Sequence, residues 1–250
     1  MGPTTPMDEL GGTSRLEPHV GGPVVSWPEA IRILCYNTRH CRGAFSPVVS
    51  EARVAAVVRA LHPDIAGLTE IYRTERRDQP ERLSRLTGTA SLFHGVREVA
   101  DGEYGNLLLS RLALRAVARV EFRGRGEDRG CLLAEVRFGD DLLTVALTHL
   151  GLDARSRREQ IAEIARVLPR NRPLVVMGDF NGRLSELDPL RDVVNACPHP
   201  PRTYPSVLPV VPLDRVLFSR HFELRAAWTP FTLASDHRPL VVELGWTSKR

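Results

Sequence analysis

Lysine is nearly missing from this chain. Lys249 is the only one among 34 basic residues, so arginine carries almost all of the positive charge. A bias of that kind arises from genomic base composition as readily as from function. The net charge of +4 and a pI near 9.2 suit a protein that meets phosphates, but so mild a basicity excludes little. Cysteine is scarce as well: four residues, at 35, 41, 131 and 197, with no pair at CxxC spacing. That spacing argues against a thiolate zinc site. Cys35 and Cys131 fall in strand-like runs and are expected to be buried and reduced. Nothing demands an oxidising compartment. No apolar run reaches the 18 residues of a membrane span, and no basic segment followed by an apolar stretch opens the chain. No amphipathic anchor stands out. These absences point to a cytoplasmic protein with neither membrane span nor signal peptide, and no obligate protein partner is evident.

Hydrophobic residues make up 42% of the chain, enough for a large core. Residues 1–28 are rich in Gly, Pro, Thr and Ser and lack periodic apolar positions, so a flexible tail is expected there. Residues 29–246 are expected to form one domain. Ile31–Tyr36 reads as a strand. Ser46-Pro47 can open a helix with Pro at its first position, whose face is Val54, Val57, Val58 and Leu61. Asp64–Leu68 is a short strand ending at Glu70. Asn106–Leu109, Leu112–Phe122, Cys131–Phe138 and Leu142–Leu147 follow as strands, with a hairpin turn at Gly139-Asp140-Asp141. A helix runs from about Asp153 to Leu168 and stops at Pro169. Leu174–Met177, Leu213–Ser219, Phe222–Trp228 and Leu240–Leu244 complete the strands. Many strands with few helices indicate an α/β or α+β fold of stacked layers.

The informative feature is what stands at the strand ends. Asn37 follows the first strand and Glu70 the second. His149 follows Leu142–Thr148, and Asp179 and Asn181 follow Leu174–Met177. Asp214 opens the strand from Leu213, and Asp236-His237 precede Leu240. A single acid or amide at a strand end is ordinarily a cap or turn residue. So many in one chain call for a chemical reason. Cleaving a phosphate ester requires charge offset at the phosphoryl oxygens, an aimed water and a stabilised leaving oxygen. Oxygen donors such as Asn37, Glu70 and Asp236 suit a hard cation like Mg2+. A protonated histidine donates to phosphoryl oxygens, and Asp214 is available to raise the pKa of His237.

These residues sit in motifs that resemble the endonuclease/exonuclease/phosphatase superfamily. Gly178-Asp179-Phe180-Asn181 is similar to its GDFN signature, and Ser235-Asp236-His237-Arg238-Pro239-Leu240 to its SDHRPL signature. Leu213-Asp214-Arg215-Val216-Leu217 resembles its (L/I)DYIF strand, and Tyr36-Asn37 its first (W/Y)N motif. Asp64-Ile65 through Leu68-Thr69-Glu70 resembles PDIxxLQE, with Thr69 where Gln is usual. Tyr104-Gly105-Asn106 followed by Leu109-Ser110-Arg111 resembles GNAxLSR, and Thr148-His149-Leu150 the THL motif. The match runs in order over about residues 30–245. It implies a four-layer α-β-β-α sandwich, two mostly antiparallel sheets packed face to face with helices outside.

The resemblance also implies roles. Glu70 is the principal ligand of Mg2+ (or Mn2+), helped by Asn37 and Asp236. Asp179 orients or deprotonates the attacking water, and Asn181 holds a phosphate oxygen. His237, fixed and charged by Asp214, contacts the phosphate, as does His149. Asn106 and Arg129 are candidate substrate-binding residues. Arg155, Arg157 and Arg158 are expected on a solvated helix face. His40, His62, His94, His199 and His221 are expected at the surface or in turns, although the stretch Asn37–Gly43 resembles an NxHHGRG loop that in small bacterial members approaches the site.

Arg39 stands where apurinic-site endonucleases of the superfamily carry an acid, and those enzymes generally lack the TH motif. Base-excision repair is thereby disfavoured. The segment Thr203-Tyr204-Pro205-Ser206 resembles a TFPS run of small bacterial hydrolases. The proline-dense stretch 198–212 is expected to be stiff and to wall one side of the cleft. The resulting expectation is a metal-dependent phosphodiesterase or nuclease, acting on a phosphate ester, with nucleic acid among the candidate substrates. A phosphomonoesterase or a phospholipid- or inositol-type phosphatase is the alternative, and a non-catalytic binding module the second.

Overall fold

The computed structural model describes residues 29–99, 101–123, 127–138, 141–191, 194–197 and 199–247. The tail expected over residues 1–28 lies outside these, as do residues 139 and 140 of the expected hairpin turn. The strands flanking that turn pair up to Phe138 and Asp141.

Burial on both faces organises the chain. In β1 (Ala30–Asn37), Ile31, Ile33 and Cys35 enter a core between two sheets, while Leu34 and Tyr36 enter a second core beneath helices. A strand covered on both sides reads as a near-continuous apolar run, as this one does. β1 pairs in parallel with β4 (Ile65–Thr74) and antiparallel with β14 (Leu240–Trp246). β13 (Phe222–Trp228), β6 (Gly102–Ser110) and β5 (Ala90–Val99) complete a six-stranded sheet in the order β13-β14-β1-β4-β6-β5.

The second six-stranded sheet contains β7 (Leu114–Phe122), β8 (Arg129–Phe138), β9 (Asp141–His149), β10 (Leu174–Asp179), β11 (Asn195–Ala196) and β12 (Asp214–Phe218). Its order is β11-β12-β10-β9-β8-β7, and β9–β10 is its parallel pair. α1 (Glu51–Leu61) and α2 (Gln79–Thr87) cover the first sheet through Val54, Val58 and Leu83. α3 (Ala154–Val167) covers the second through Ile161 and Ile164. The four-layer α-β-β-α sandwich implied by the motifs is the fold. All four cysteines are free, with Cys35 and Cys131 fully buried as expected.

Several local expectations need correction. Ser46-Pro47 opens no helix. Ser46–Val49 is β3, which pairs with β2 (Arg42–Gly43) in a small ribbon where Pro is tolerated. The true cap is Ser50, whose side chain accepts from Arg53 N–H. β4 does not end at Glu70 but runs to Thr74, bulging between Leu68 and Ile71. α2 and β5 had no counterpart in the expected elements. Helix α3 starts after Asp153, which accepts from Ser156 N–H at 2.9 Å. Arg157 is not solvated but 7% exposed, with Nε 2.7 Å from Glu186 and Nη1 donating to Leu152 O. It ties α3 to a 3-10 segment, Leu184–Leu190. His94 lies buried within β5 rather than at the surface.

Candidate active site

Strand register assembles the site. Asp179, at the end of β10, pairs across to His149 on β9 and to Asp214 on β12, so three site residues form one row over three adjacent strands. The opposing sheet supplies Asn37 at the end of β1 and Glu70 on the β4 bulge. Glu70 has φ +60, a left-handed backbone held by the bulge and by Thr38 Oγ1, 3.2 Å from its carbonyl. The Ser235–His237 turn closes the set, with Ser235 Oγ donating to Asn37 O at 2.8 Å.

Gly178 allows this packing. Its φ is +148, and a Cβ there would lie 1.8 Å from Thr148 O on the neighbouring strand. Gly178→Ala is expected to cost roughly 3 kcal/mol or more through steric and backbone strain. Chemical denaturation checks this; a variant as stable as the parent would contradict it.

Asn37 bridges the two sheets, with Nδ2 3.0 Å from Glu70 Oε1 and 3.0 Å from Asp179 Oδ2. Its carbonyl oxygen accepts from Arg39 N–H. The amide nitrogen, not the oxygen, therefore faces both carboxylates. Glu70 Oε2 is 3.3 Å from His40 Nε2. Burial, with Asp179 and Asp236 adding repulsion, raises the Glu70 pKa, although the Asn37 hydrogen bond and His237 pull it down. Asp236 accepts from Ser235 Oγ and lies 3.5 Å from Arg39 Nε. Glu70, Asp179 and Asp236 thus bring three carboxylates into one site, and their oxygens suit a divalent cation.

The ligand atoms of Asp179, Asp214 and His237 also lie within 4.8 Å of one another. The 2.7 Å separation of His237 Nδ1 from Asp214 Oδ2 identifies that contact as a hydrogen bond. The Nδ1 proton that makes this bond leaves that nitrogen no lone pair for a cation.

The two histidines carry different charge. Burial alone would depress His237, yet Asp214, with Asp179 and Asp236, pushes its pKa up to about 9. His149 goes the other way, to about 3, because burial and the cations Arg129 and His237 outweigh Asp179. Arg129 Nη1 is 3.2 Å from His149 Nδ1 and Asn181 Nδ2 is 3.2 Å from His149 Nε2, so donors approach both ring nitrogens, as suits an uncharged ring. Asp179 Oδ2 lies 3.7 Å from His149 Nε2 and 3.9 Å from His237 Nε2. Such distances fit one bridging oxygen atom better than direct bonds.

The remaining expected residues take supporting positions. Asn181, at φ +47, receives an Asp179 Oδ1 contact at its N–H and donates to Leu150 O. Its Nδ2 is also 3.2 Å from His149 Nε2. Asn106 is buried within β6 and donates to Gly130 O. Arg129 is 4% exposed, donates to Tyr104 Oη and pairs with Glu127.

Some site neighbours fall in the quoted motifs but had been given no role. Tyr104 lies 3.4 Å from His149 Nδ1. His40 packs against Tyr72 and Tyr104 while facing Glu70. The ring of Tyr204 is 4.9 Å from that of His237. Thr203 accepts from Asp214 N–H, and Ser206 N–H donates to Asp236 O at 2.6 Å. The proline-dense loop is therefore hydrogen-bonded to the site.

Comparison with known proteins agrees with this picture. Residues 34–237 match the model of the Endonuclease/Exonuclease/phosphatase family. The Escherichia coli (strain K12) protein YbhP is 30% identical over 165 residues, covering 58% of this chain and 64% of its own length. An endonuclease/exonuclease/phosphatase structure from Beutenbergia cavernae superposes with a TM-score of 0.72 at 22% identity, covering 88% of this chain and 72% of the other. A family protein from Bacteroides thetaiotaomicron gives 0.73 at 16% identity, covering 90% and 98%. At these identities the two structures are alike in fold alone.

Proposed function

The chain belongs to the endonuclease/exonuclease/phosphatase family, whose members hydrolyse phosphate esters, and on that premise we propose that it cleaves phosphodiesters by metal-dependent attack of water. The observation that carries this reading is the row His149–Asp179–Asp214, with Nε2 of His149 and of His237 standing 3.7 and 3.9 Å from Asp179 Oδ2.

Asp179 Oδ2 accepts a proton from, or aligns, the attacking water. The Asn37 and Asn181 contacts hold its carboxylate in place. His237 donates from Nε2 to a phosphoryl oxygen, its charge maintained by Asp214. His149, uncharged, stands with Nε2 beside Asp179 and Asn181 Nδ2, where it can contact the phosphate. Glu70 and Asp236, with Asn37 once its oxygen turns inward, would hold Mg2+ or Mn2+. When bound, such an ion offsets phosphoryl charge and lowers the pKa of water. The free cysteines fit a cytoplasmic setting.

A panel of bis-p-nitrophenyl phosphate, single- and double-stranded DNA, RNA, inositol phosphates and sphingomyelin, each with Mg2+, Mn2+ or chelator, tests the proposal. Metal-dependent turnover of diesters is expected. Absence of turnover on every member would favour a binding module instead. Glu70→Gln should raise the Mg2+ concentration for half-activation by roughly tenfold or more, because one formal ligand charge is lost. An unchanged activation curve would remove Glu70 as a ligand.

A further inference from the structure

Every large apolar side chain exposed among the described residues stands on one of four loops around the candidate active site. Phe45 (79% exposed) and Val48 (65%) project from the β2–β3 ribbon, Leu152 (77%) from the loop after His149. Leu208 (73%) tips the proline-dense loop, and Phe231 (63%) precedes the Ser235–His237 turn. Scattered exposed apolar residues are ordinary, whereas their confinement to one end of a molecule marks an interaction surface.

Three of these loops are joined. Ala44 N–H donates to Leu233 O, linking the ribbon to the Phe231 loop. Arg238 donates to Ser206 O and Val207 O and lies over Phe231, linking that loop to the proline-dense one. Leu152 faces them from the His149 side, its carbonyl held by Arg157.

The chemistry of the rim selects among occupants. Nucleic acid is gripped by arginine heads on phosphates and by aromatic faces stacked on bases. Here Arg39, Arg53 and Arg238 direct their guanidinium groups to backbone carbonyls of the loops themselves, and exposed Arg42 on the ribbon suits a lipid phosphate as well as a nucleic-acid one. Several of the projecting tips are aliphatic and offer no face for stacking. A second copy of the chain seated on this rim would shut the cleft. The remaining occupant must offer an apolar medium and a phosphate diester together.

We propose that the rim seats on a phospholipid bilayer and that the cleft takes a phospholipid headgroup diester from it. This rests on the phosphodiesterase reading above. No amphipathic helix announces such a surface because each loop contributes only one to a few side chains and periodicity never arises.

The test is flotation of the full chain with vesicles of phosphatidylcholine and phosphatidylglycerol, comparing the parent with the triple variant Phe45→Ser, Leu208→Ser, Phe231→Ser. The parent is expected to float with vesicles even at ~1 M salt, where charge attraction is screened within ~3 Å. The triple variant should lose vesicle affinity by roughly tenfold or more, given the apolar area removed. Its turnover of bis-p-nitrophenyl phosphate and its melting temperature should match the parent. Failure of the parent to float, or equal flotation of the variant, would overturn the proposal. So would an oligonucleotide affinity, or a dimer, that depends on the same three side chains. Flotation as expected with no turnover of any diester would leave the docking surface standing and remove the phosphodiesterase reading, so the two fail separately.

Discussion

Asp179→Asn should lower kcat on a diester substrate by about 10³-fold while leaving the melting temperature unchanged or higher. The asymmetry follows from the surroundings of the carboxylate. Asp179 is 1% exposed and adds to the repulsion that raises the Glu70 pKa. An amide of the same shape can keep oxygen contacts with Asn37 Nδ2 or Asn181 N–H while removing a buried charge. What it cannot do is accept the proton of an attacking water. Steady-state kinetics with thermal melting separates the two effects. A variant within tenfold of the parent in kcat, or one that fails to fold, would count against the role.

Asp214→Asn should have the second largest effect, and its signature is in the pH dependence. Asp214 is fully buried and holds the protonated ring of His237. Without the charge, burial dominates and His237 becomes neutral near pH 7. Loss of its charged donor should reduce kcat/KM by roughly 10²–10³-fold. The stability effect has a definite sign. The folded pKa of His237 is raised to about 9, above the ordinary value of 6.5, so its contribution is fully present below 6.5 and is lost as pH rises through about 9. In chelator, the parent should therefore lose on the order of 1–3 kcal/mol across that window. Asp214→Asn should lose much less. Parallel pH–stability curves for the two proteins would refute the assignment.

How much of this could be read from sequence depended on the kind of signal involved. The strands buried on both faces, such as Ile31–Tyr36 and Leu174–Met177, were legible because continuous apolar runs survive any register. The site residues were legible because they stand at strand ends in recognisable order, and the structure brings Asn37, Glu70, His149, Asp179, Asn181, Asp214 and His237 to one end. α2 was not legible: Leu83 is its one buried large aliphatic residue, so it shows no stripe. β5 carries His94 and Gly95 in mid-strand, which breaks the alternation. The β4 bulge was hidden for a related reason, since an extra residue at Glu70 shifts the later side chains out of phase. Arg157 was misplaced because a charged residue on an amphipathic helix looks solvated until its partner is known. That partner, Glu186, lies 29 residues away.

The row of His149, Asp179 and Asp214 has a consequence for how such a protein can change. Neighbouring strands are spaced about 4.8 Å apart by their backbone hydrogen bonds. That interval acts as a fixed gauge for the three candidate side chains. The hydrophobic loops at the rim can therefore be exchanged, lengthened or recharged without resetting the gauge. Retargeting the protein to a different ester should need replacement of residues 45–48 and 207–210, with Thr203, Tyr204 and Ser206 kept in contact with the site and no change on the three strands.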